Sequence, residues 1–286
     1  MQFTKMHGLG NNYIFFNLLE TSMGEQDFAK LSKKVSNVNF GIGSDGIILI
    51  GSSDVADFQM RIFNADGSEG RNCGNGLRCV AKYLFDHMYA ATRDFTIETL
   101  GGVVRVEVEV DKRQIVRYVT VDMGTPKLLK GMIPMAGNPS STAINEPISI
   151  GAKLFHMTCV SMGNPHAIQF VDDIEDYPLS TNGPIIEHSN LFPERVNVGI
   201  VTVRNRNELN YRVWERGSGI TMACGTGACA AVVAATLNDM IDKYIPITVH
   251  LPGGDLTVSW DEHDHVWMRG QAEYICHGEL VMEEIN

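Results

Sequence analysis

Two segments of the sequence that lie 151 residues apart decide the fold. Residues 61–76 read RIFNADGSEGRNCGNG, and residues 212–227 read RVWERGSGITMACGTG. Both begin with an arginine and an apolar pair, and both end in a Cys-Gly-x-Gly string, at Cys73 and at Cys224, that aligns without a gap. Solenoid units have roughly 20–50 residues, so a period this long indicates two similar half-chains instead.

Shorter matches extend the repeat along both halves. Gly10-Asn11 matches Gly163-Asn164 at a spacing of 153, and Asn39-x-Gly41-Ile42 matches Asn197-x-Gly199-Ile200 at a spacing of 158. Because the matches keep the same order, we expect two domains, divided near Met123, that face each other about a pseudo-twofold axis. The expected N-terminal half covers residues 1–122, with residues 271–286 packing back on it. The expected C-terminal half covers residues 123–270.

Local patterns predict the same kind of structure in both halves. Residues 103–110 alternate apolar and charged side chains, as a half-buried strand does. A helical stretch follows each Cys-Gly-x-Gly string, at residues 77–85 and 228–235, and the second is apolar all round, as a helix enclosed by strands should be. A further amphipathic helix is expected at residues 25–35. The predicted fold class is therefore α+β, with each half a mostly antiparallel, strand-rich, barrel-like domain around a central helix.

Composition and charge exclude several classes of protein. The 286 residues carry a formal net charge of −11, and 44% of them are hydrophobic. An acidic chain lacks the clustered lysine and arginine of a nucleic-acid surface. No apolar run approaches the roughly 18–20 residues that cross a bilayer, and the first residues lack a signal-peptide pattern. We therefore expect a cytoplasmic protein with no nucleic-acid partner and no membrane partner.

The six cysteines indicate neither a zinc site nor a disulfide framework. The sequence contains no C-x-x-C pair, which is the ligand spacing typical of structural zinc. A long chain without a secretion signal has no need of disulfides. Most of the cysteines, such as Cys79 and Cys229 within the helical stretches, are expected to be buried packing residues. No metal is expected.

Cys73 and Cys224 differ from the other cysteines because each directly precedes a central helix. The unpaired N–H groups and the dipole of a helix start favour an anion. They can lower the pKa of a thiol from about 8.5 to roughly 3.5–7.5. The glycines that follow let a carboxylate or phosphate approach the helix amides closely. Two such thiols on opposite faces of one carbon can invert a stereocentre, while the amides stabilise charge that develops on the adjacent carboxylate.

With these residues identified, the chain resembles the diaminopimelate epimerase family from end to end. The resemblance rests on MHGLGNNYIFFN (6–17), FNADGSEGRNCGNGLRC (63–79), SMGNPHAIQF (161–170), ERGSGITMACGTGACAA (215–231) and LPGG (251–254). It implies an isomerase that converts LL-2,6-diaminopimelate to the meso form with two cysteines and with no pyridoxal phosphate or other cofactor. The implied role is in lysine and peptidoglycan precursor synthesis. It also implies a homodimer, with the small-molecule substrate as the binding partner.

Motif by motif, the resemblance implies roles for individual residues. Cys73 and Cys224 are the implied catalytic base and acid, and His166 and Glu215 are implied to tune the thiols. The implied substrate contacts are Asn11, Asn64, Gly74, Asn75, Asn164, Asn197, Glu215, Arg216, Gly225 and Thr226. An arginine suits the distal carboxylate because its guanidinium can bind that group through two parallel hydrogen bonds. Gly46 stands where many members carry a glutamine that touches substrate, so we expect a lost contact and an unchanged reaction.

Alternative functions are open at this point. Proline and hydroxyproline racemases also use two opposed cysteines, but an arginine and several asparagines for a second polar end argue against so compact a substrate. Phenazine-pathway isomerases share the implied fold and use an acidic residue, and the second cysteine argues against them. A thiol-based redox protein and a purely structural role are the remaining alternatives.

Overall fold

The computed structural model describes residues 1–20 and 27–281. The chain divides into two units: unit 1 is Met1–Val121 with Gly270–Asn286, and unit 2 is Asp122–Arg269. Both units combine many strands with a few helices, so the predicted α+β class is confirmed.

Unit 1 is a mixed sheet with one long and one short helix. Numbered along the whole chain, its elements are β1 (Gln2–Gly8), β2 (Asn11–Asn17), α1 (Phe28–Ser36), β3 (Gly46–Gly51), β4 (Phe58–Asn64), β5 (Glu69–Gly70), α2 (Gly74–Asp86), β6 (Asp94–Thr99), β7 (Gly102–Val110), β8 (Val116–Asp122) and β18 (Glu273–Glu279). The strands pair in the order β18-β1-β2-β3-β4-β6-β7-β8, with β5 also on β4. The pairs β2–β3 and β4–β6 are parallel, and the other pairs are antiparallel.

Unit 2 has the same plan. Its elements are β9 (Glu146–Ile150), β10 (Lys153–Ser161), β11 (Pro165–Phe170), α3 (Leu179–Glu187), β12 (Asn197–Asn205), β13 (Glu208–Glu215), β14 (Gly219–Ile220), α4 (Gly225–Leu237), β15 (Ile247–Leu251), β16 (Gly254–Trp260) and β17 (Val266–Gly270), with a short 3-10 turn at Lys130–Met132. The strands pair in the order β9-β10-β11-β12-β13-β15-β16-β17, with β14 also on β13. The parallel pairs are β11–β12 and β13–β15.

The two units therefore repeat one topology strand for strand. The parallel pairs fall at the same places, and a helix lies between the two strands of each pair along the chain: α1 and α3 in the first pair of each unit, and α2 and α4 in the second. Helices α2 and α4 have 13 residues each and start 151 positions apart, at Gly74 and Gly225. The repeat in the sequence thus corresponds to a repeat in strand order and strand direction.

One of the sequence matches is wrong. Asn39 lies in a turn after α1, whereas Asn197 is the first residue of β12. Strand register shows the true counterpart. In unit 1, Gly46 is the first residue of β3 and pairs with Asn64 at the end of β4. In unit 2, Asn197 is the first residue of β12 and lies beside the end of β13. Gly46 and Asn197 are 151 residues apart, which is the spacing of the two cysteines. The two Asn-x-Gly-Ile strings therefore do not occupy equivalent positions in the two units.

Burial on all sides explains why the central helices form where they do. Helix α2 packs against β1, β2, β4 and β7, and α4 packs against β10, β11, β12, β13, β15 and β16. Residues 74–84 of α2 and residues 227–235 of α4 are buried. No helix within the described residues is both long enough and apolar enough to span a membrane.

Helix α1 covers the sheet of unit 1 from outside and shows the predicted amphipathic character. Its cap is Asp27, whose carboxylate accepts the Lys30 N–H at 3.0 Å. Its buried Leu31 and Val35 join an apolar cluster with side chains of β2, β3 and β4. The helix was expected at residues 25–35, and residues 25 and 26 lie outside the described part of the chain.

Candidate functional site

In unit 1, Cys73 is the cap residue of α2. Its extended backbone turns the side chain back over the helix start, where Sγ accepts the Gly76 N–H at 3.3 Å. The same sulfur lies 3.8 Å from the Tyr13 hydroxyl and 3.9 Å from Asn11 Oδ1, both on β2. The thiol is half-buried. A thiolate here would accept from the Gly76 amide and the Tyr13 hydroxyl, which favours the anion, whereas the thiol donates to Asn11 Oδ1, which favours the protonated form.

A chain of side-chain hydrogen bonds holds the residues around the start of α2. Arg78 is fully buried and donates to Asn75 Oδ1 at 2.9 Å. Asn75 Nδ2 donates to Asn11 Oδ1 at 3.1 Å, and Asn11 Nδ2 donates to Asp45 Oδ2 at 2.8 Å. The expected substrate residues Asn11 and Asn75 are thus brought together and oriented between a buried guanidinium and a carboxylate.

Asn64 is at the end of β4, where its Nδ2 donates to Ser68 Oγ at 3.0 Å. Gly46 pairs with it across the sheet. A Cβ built on Gly46 would overlap the carbonyl oxygen of Phe63, so β3 and β4 approach too closely for a side chain. The equivalent position in unit 2 is Asn197, so unit 1 lacks a side chain where unit 2 has an amide. A side chain at Gly46 would require a backbone shift.

In unit 2, Cys224 caps α4 in the same extended conformation and is 5% exposed. Its Sγ lies 3.5 Å from the Thr226 hydroxyl. Burial raises the pKa of the Cys224 thiol well above its usual value, and the Glu215 carboxylate adds to this, while the Thr226 hydroxyl and the Gly227 amide act in the opposite direction. The expectation of a lowered thiol pKa at the helix start is wrong for Cys224, because desolvation and a like charge outweigh the helix amides.

His166 on β11 is fully buried behind this thiol. Its Nε2 lies 3.0 Å from Asn164 Oδ1 and 3.1 Å from Thr226 Oγ1. Burial, and secondly the charge of Arg216, lower the pKa of His166 to about 3. The imidazole is therefore neutral at physiological pH, and the amide oxygen beside Nε2 assigns the ring proton to that nitrogen. His166 orients Asn164 and Thr226 and does not supply a positive charge.

Asn197, the first residue of β12, is hydrogen-bonded to Arg216, which directly follows β13. Asn197 is 3% exposed, donates to the Pro165 carbonyl at 2.9 Å, and accepts the Arg216 N–H at 2.9 Å. The Arg216 guanidinium donates to the Glu194 carbonyl at 2.8 Å. No carboxylate of the described residues lies within ion-pair distance of it. The Glu215 carboxylate accepts from the Thr221 hydroxyl. Arg216 is exposed and offers an uncompensated positive charge.

Several residues around the thiols do not appear in the motif-based assignment. Tyr13 contacts Cys73, and extending the Gly10-Asn11 match by two positions aligns Tyr13 with His166 at the same spacing of 153. That extension was the signal in the sequence. Tyr211 on β13 is 1% exposed, and within the described structure its hydroxyl has no hydrogen-bond partner. A Cβ at Gly227 would overlap this hydroxyl and lie 3.2 Å from Cys224 Sγ, so hydroxyl and thiol share one face of the helix start.

The two central helices differ in charge at three equivalent positions, of which Arg78 is the one nearest the helix start. Arg78 in α2 corresponds to Cys229 in α4 at the spacing of 151, and both are fully buried. Unit 1 thus has a buried cation in the first turns of its central helix, while the thiol of unit 2 has the Glu215 carboxylate nearby. Burial also raises the pKa of the Cys79 thiol and of the Cys159 thiol, in each case to about 12.

Each unit consists of strands around a buried helix, and the chain contains two such units. Several solved structures share this fold. A hydroxyproline epimerase from Agrobacterium vitis superposes with a TM-score of 0.70 at 13% identity, over 98% of this chain and 90% of that chain. A Bacillus anthracis phenazine biosynthesis protein of the PhzF family gives a TM-score of 0.69 at 15% identity, over 99% of each chain. At such identities the likeness defines the fold class.

Sequence comparison narrows this class to one family. The model of the diaminopimelate epimerase family matches residues 3–129 and 158–275. Diaminopimelate epimerase of Bacillus cereus (strain AH187) is 54% identical over 276 residues, which are 96% of each sequence. The chain belongs to the diaminopimelate epimerase family, and the resemblance drawn from its motifs is confirmed.

Proposed function

We propose that this protein is an isomerase that converts LL-2,6-diaminopimelate to meso-diaminopimelate without a cofactor, in lysine and peptidoglycan precursor synthesis. The observation that carries the proposal is the cysteine at the start of the central helix in each of two topologically equivalent units, Cys73 in α2 and Cys224 in α4. Inverting a carbon that bears hydrogen needs one group to remove a proton and another to deliver one. The proposed substrate, diaminopimelate, is inferred from membership of the family.

The proposed reaction moves one proton off the α-carbon and another onto it. A thiolate takes the α-proton, and the electrons of the C–H bond delocalise into the adjacent carboxylate. The thiol of the other cysteine then delivers its proton to the opposite face and becomes the thiolate. Backbone amides of Gly74 and Asn75 in one unit, and of Gly225 and Thr226 in the other, are proposed to stabilise the carboxylate as its charge grows.

The environments of the two thiols support unequal resting states. Burial and the Glu215 carboxylate keep the proton on Cys224. Cys73 has an amide donor at 3.3 Å and the Tyr13 hydroxyl at 3.8 Å. We assign Cys73 as the thiolate and Cys224 as the thiol of the free enzyme, and the pair exchanges these states once per turnover.

The second amino-acid end of diaminopimelate needs its own contacts. Arg216 is proposed to bind the distal carboxylate, because its guanidinium is exposed and has no carboxylate partner among the described residues. Asn11, Asn64 and Asn164 are proposed to bind the remaining polar groups, since an amide can both donate and accept. Asn197 already uses one amide hydrogen and its oxygen internally, so its proposed contact is through the second amide hydrogen.

The proposal includes the setting in which the reaction runs. The enzyme is proposed to act as a homodimer in the cytoplasm, on a small-molecule substrate. A proline-type racemase is the competing function, since a hydroxyproline epimerase shares the fold. The uncompensated Arg216 favours the longer substrate with a second carboxylate.

Incubation of the reduced protein with LL-diaminopimelate in heavy water tests the proposal. Deuterium should appear at one α-carbon of the meso product, with no cofactor added. Proline and 4-hydroxyproline, offered separately under the same conditions, should not be turned over. Turnover of proline with none of diaminopimelate would overturn the substrate assignment, and product without α-deuterium would overturn the proton-transfer reaction.

A further inference from the structure

Glu187, the last residue of α3, is a buried carboxylate close to the candidate site. Its side chain is 2% exposed. Oε2 accepts the indole N–H of Trp214 at 2.7 Å, and Oε1 accepts the backbone N–H of Gly217 at 3.0 Å. These two donors lie immediately before and after Glu215 and Arg216. One carboxylate therefore holds the chain on both sides of the two residues assigned to thiol tuning and to the distal carboxylate.

The charge of the Glu187 carboxylate is partly balanced by the Arg195 guanidinium. The Arg195 guanidinium lies 3.6 Å from Oε1, and the His188 ring lies 3.9 Å from Oε2. A buried carboxylate is costly unless its oxygens are hydrogen-bonded. Here both oxygens have an N–H donor, so the group is satisfied by the segment that it holds.

Two successive backbone amides of this segment are anchored to buried side chains. The N–H of Arg216 donates to Asn197 Oδ1 at 2.9 Å, and the N–H of Gly217 donates to Glu187. With both amides fixed, the Cα–Cβ direction of Arg216 is fixed as well. The side chain itself remains exposed. This combination fixes where the arginine side chain starts, and the guanidinium donates to the Glu194 carbonyl at 2.8 Å, without burial of its charge.

Unit 1 contains a matched arrangement without the charge. Ser32 of α1 is fully buried, and its hydroxyl donates to the carbonyls of Phe63 at 3.0 Å and Asn64 at 2.8 Å. In each unit, the helix that connects the strands of the first parallel pair is thus hydrogen-bonded to the end of the strand that carries a candidate substrate residue. In unit 2, the tie is a carboxylate.

We propose that Glu187 is a positioning residue that aims Arg216 at the distal carboxylate of the substrate. The inference rests on the proposed role of Arg216. A carboxylate is required because both partners are N–H donors. A glutamine has one acceptor oxygen and would turn its NH₂ group toward the other donor, which releases one side of the segment.

The test is a double-mutant cycle on the full-length enzyme. Glu187→Gln should raise KM for LL-diaminopimelate about tenfold, with kcat within about threefold of the unmutated enzyme, because the lost contact holds substrate without touching the reacting carbon. In an Arg216→Ala background, the same substitution should change KM less than about twofold, because coupled residues are not additive. Glu175→Gln, which breaks the exposed ion pair with Arg212 in the same unit, is the matched control and should leave KM unchanged.

Outcomes separate this inference from the proposed function. Equal effects of Glu187→Gln in both backgrounds would mean a general structural role and would overturn the inference. An Arg216→Ala enzyme with unchanged KM would overturn the role of Arg216, and the inference with it, while heavy-water exchange tests the reaction independently. Trp214→Phe removes the indole donor together with part of an aromatic ring that packs against the apolar cluster of unit 2. If Glu187→Gln does not fold, Trp214→Phe replaces it in the cycle, with about a threefold rise in KM expected and the same dependence on Arg216.

Discussion

Replacing Tyr13 with phenylalanine removes one oxygen atom next to Cys73. The ring stays the same size, and Tyr13 is only 6% exposed, so the packing of β2 should be preserved. Burial, and secondly the charge of Cys73, raise the pKa of the Tyr13 hydroxyl well above its usual value. The hydroxyl therefore keeps its proton throughout the working range and can donate to a thiolate. Its loss should destabilise the ionised form of Cys73.

The size of the effect follows from the contact. Hydrogen bonds to charged groups contribute about 1.5–3 kcal/mol, and the separation of 3.8 Å between oxygen and sulfur places this one below that range, near 1 kcal/mol. Since one pH unit of ionisation corresponds to about 1.4 kcal/mol, Cys73 should ionise about 0.7 pH units higher in Tyr13→Phe. The other charged or titratable groups in unit 1 nearby, which are Asp45, Arg78 and Cys79, are left in place.

The assay is kcat/KM against pH in both reaction directions. Where Cys73 is the base, it must be ionised, so the acid limb should move up by about 0.7 units. In the reverse direction Cys73 is the acid, so the alkaline limb should move up by the same amount. Tyr177→Phe, whose hydroxyl donates to Gln169 at 2.7 Å in unit 2, should move neither limb. If the Tyr13→Phe profiles coincide with those of the unmutated enzyme, the hydroxyl does not act on the thiol.

Two further substitutions test the surroundings of Cys224, one through the pH dependence of activity and the other through the pH dependence of stability. Glu215→Gln removes a carboxylate that raises the pKa of Cys224, so the limb governed by Cys224 should move to lower pH in the same assay, and an upward shift would contradict the assigned electrostatics. The pKa of His166 is about 3 in the folded protein and 6.5 for an ordinary histidine. Between these two pH values the unfolded state binds more protons, so the free energy of unfolding decreases as the pH is lowered from 6.5 to about 3. Urea unfolding between pH 7 and 4 should show that His166→Gln loses up to about 1.4 kcal/mol less per pH unit than the unmutated protein, and equal slopes would contradict the burial of a neutral imidazole.

The repeat was readable from sequence wherever side chains have the same task in both units. Cys73 and Cys224 align because each must cap a glycine-rich helix start, and this placed both thiols correctly at helix caps. The Asn39 match failed because a short string can recur by chance, whereas strand register makes Gly46 the position equivalent to Asn197. At that position the two units differ in residue type, so composition alone could not align them.

Contacts between distant segments could not be predicted in this way. Glu187 holds a segment about 30 residues further along the chain, and no local pattern distinguishes it from a surface glutamate at a helix end. The raised pKa of Cys224 was missed for a related reason. A helix start predicts a lowered thiol pKa, but burial and the approach of Glu215 depend on how β13 packs against α4.

In the proposed mechanism each of the two thiols serves one face of the α-carbon, and single-cysteine variants in heavy water test this division of roles. Reduced Cys73→Ala and Cys224→Ala are each given LL- and meso-diaminopimelate, and inversion and α-deuterium are measured separately. Cys159→Ala, at a buried cysteine outside both helix starts, is the control and should epimerise normally. In each of the two variants the rate of epimerisation should fall by about 10²–10⁴-fold. Each variant should still exchange the α-hydrogen of one epimer without inversion, and the epimer that exchanges should differ between the two variants. Near-normal epimerisation by either variant, or exchange of the same epimer by both, would contradict a two-thiol mechanism.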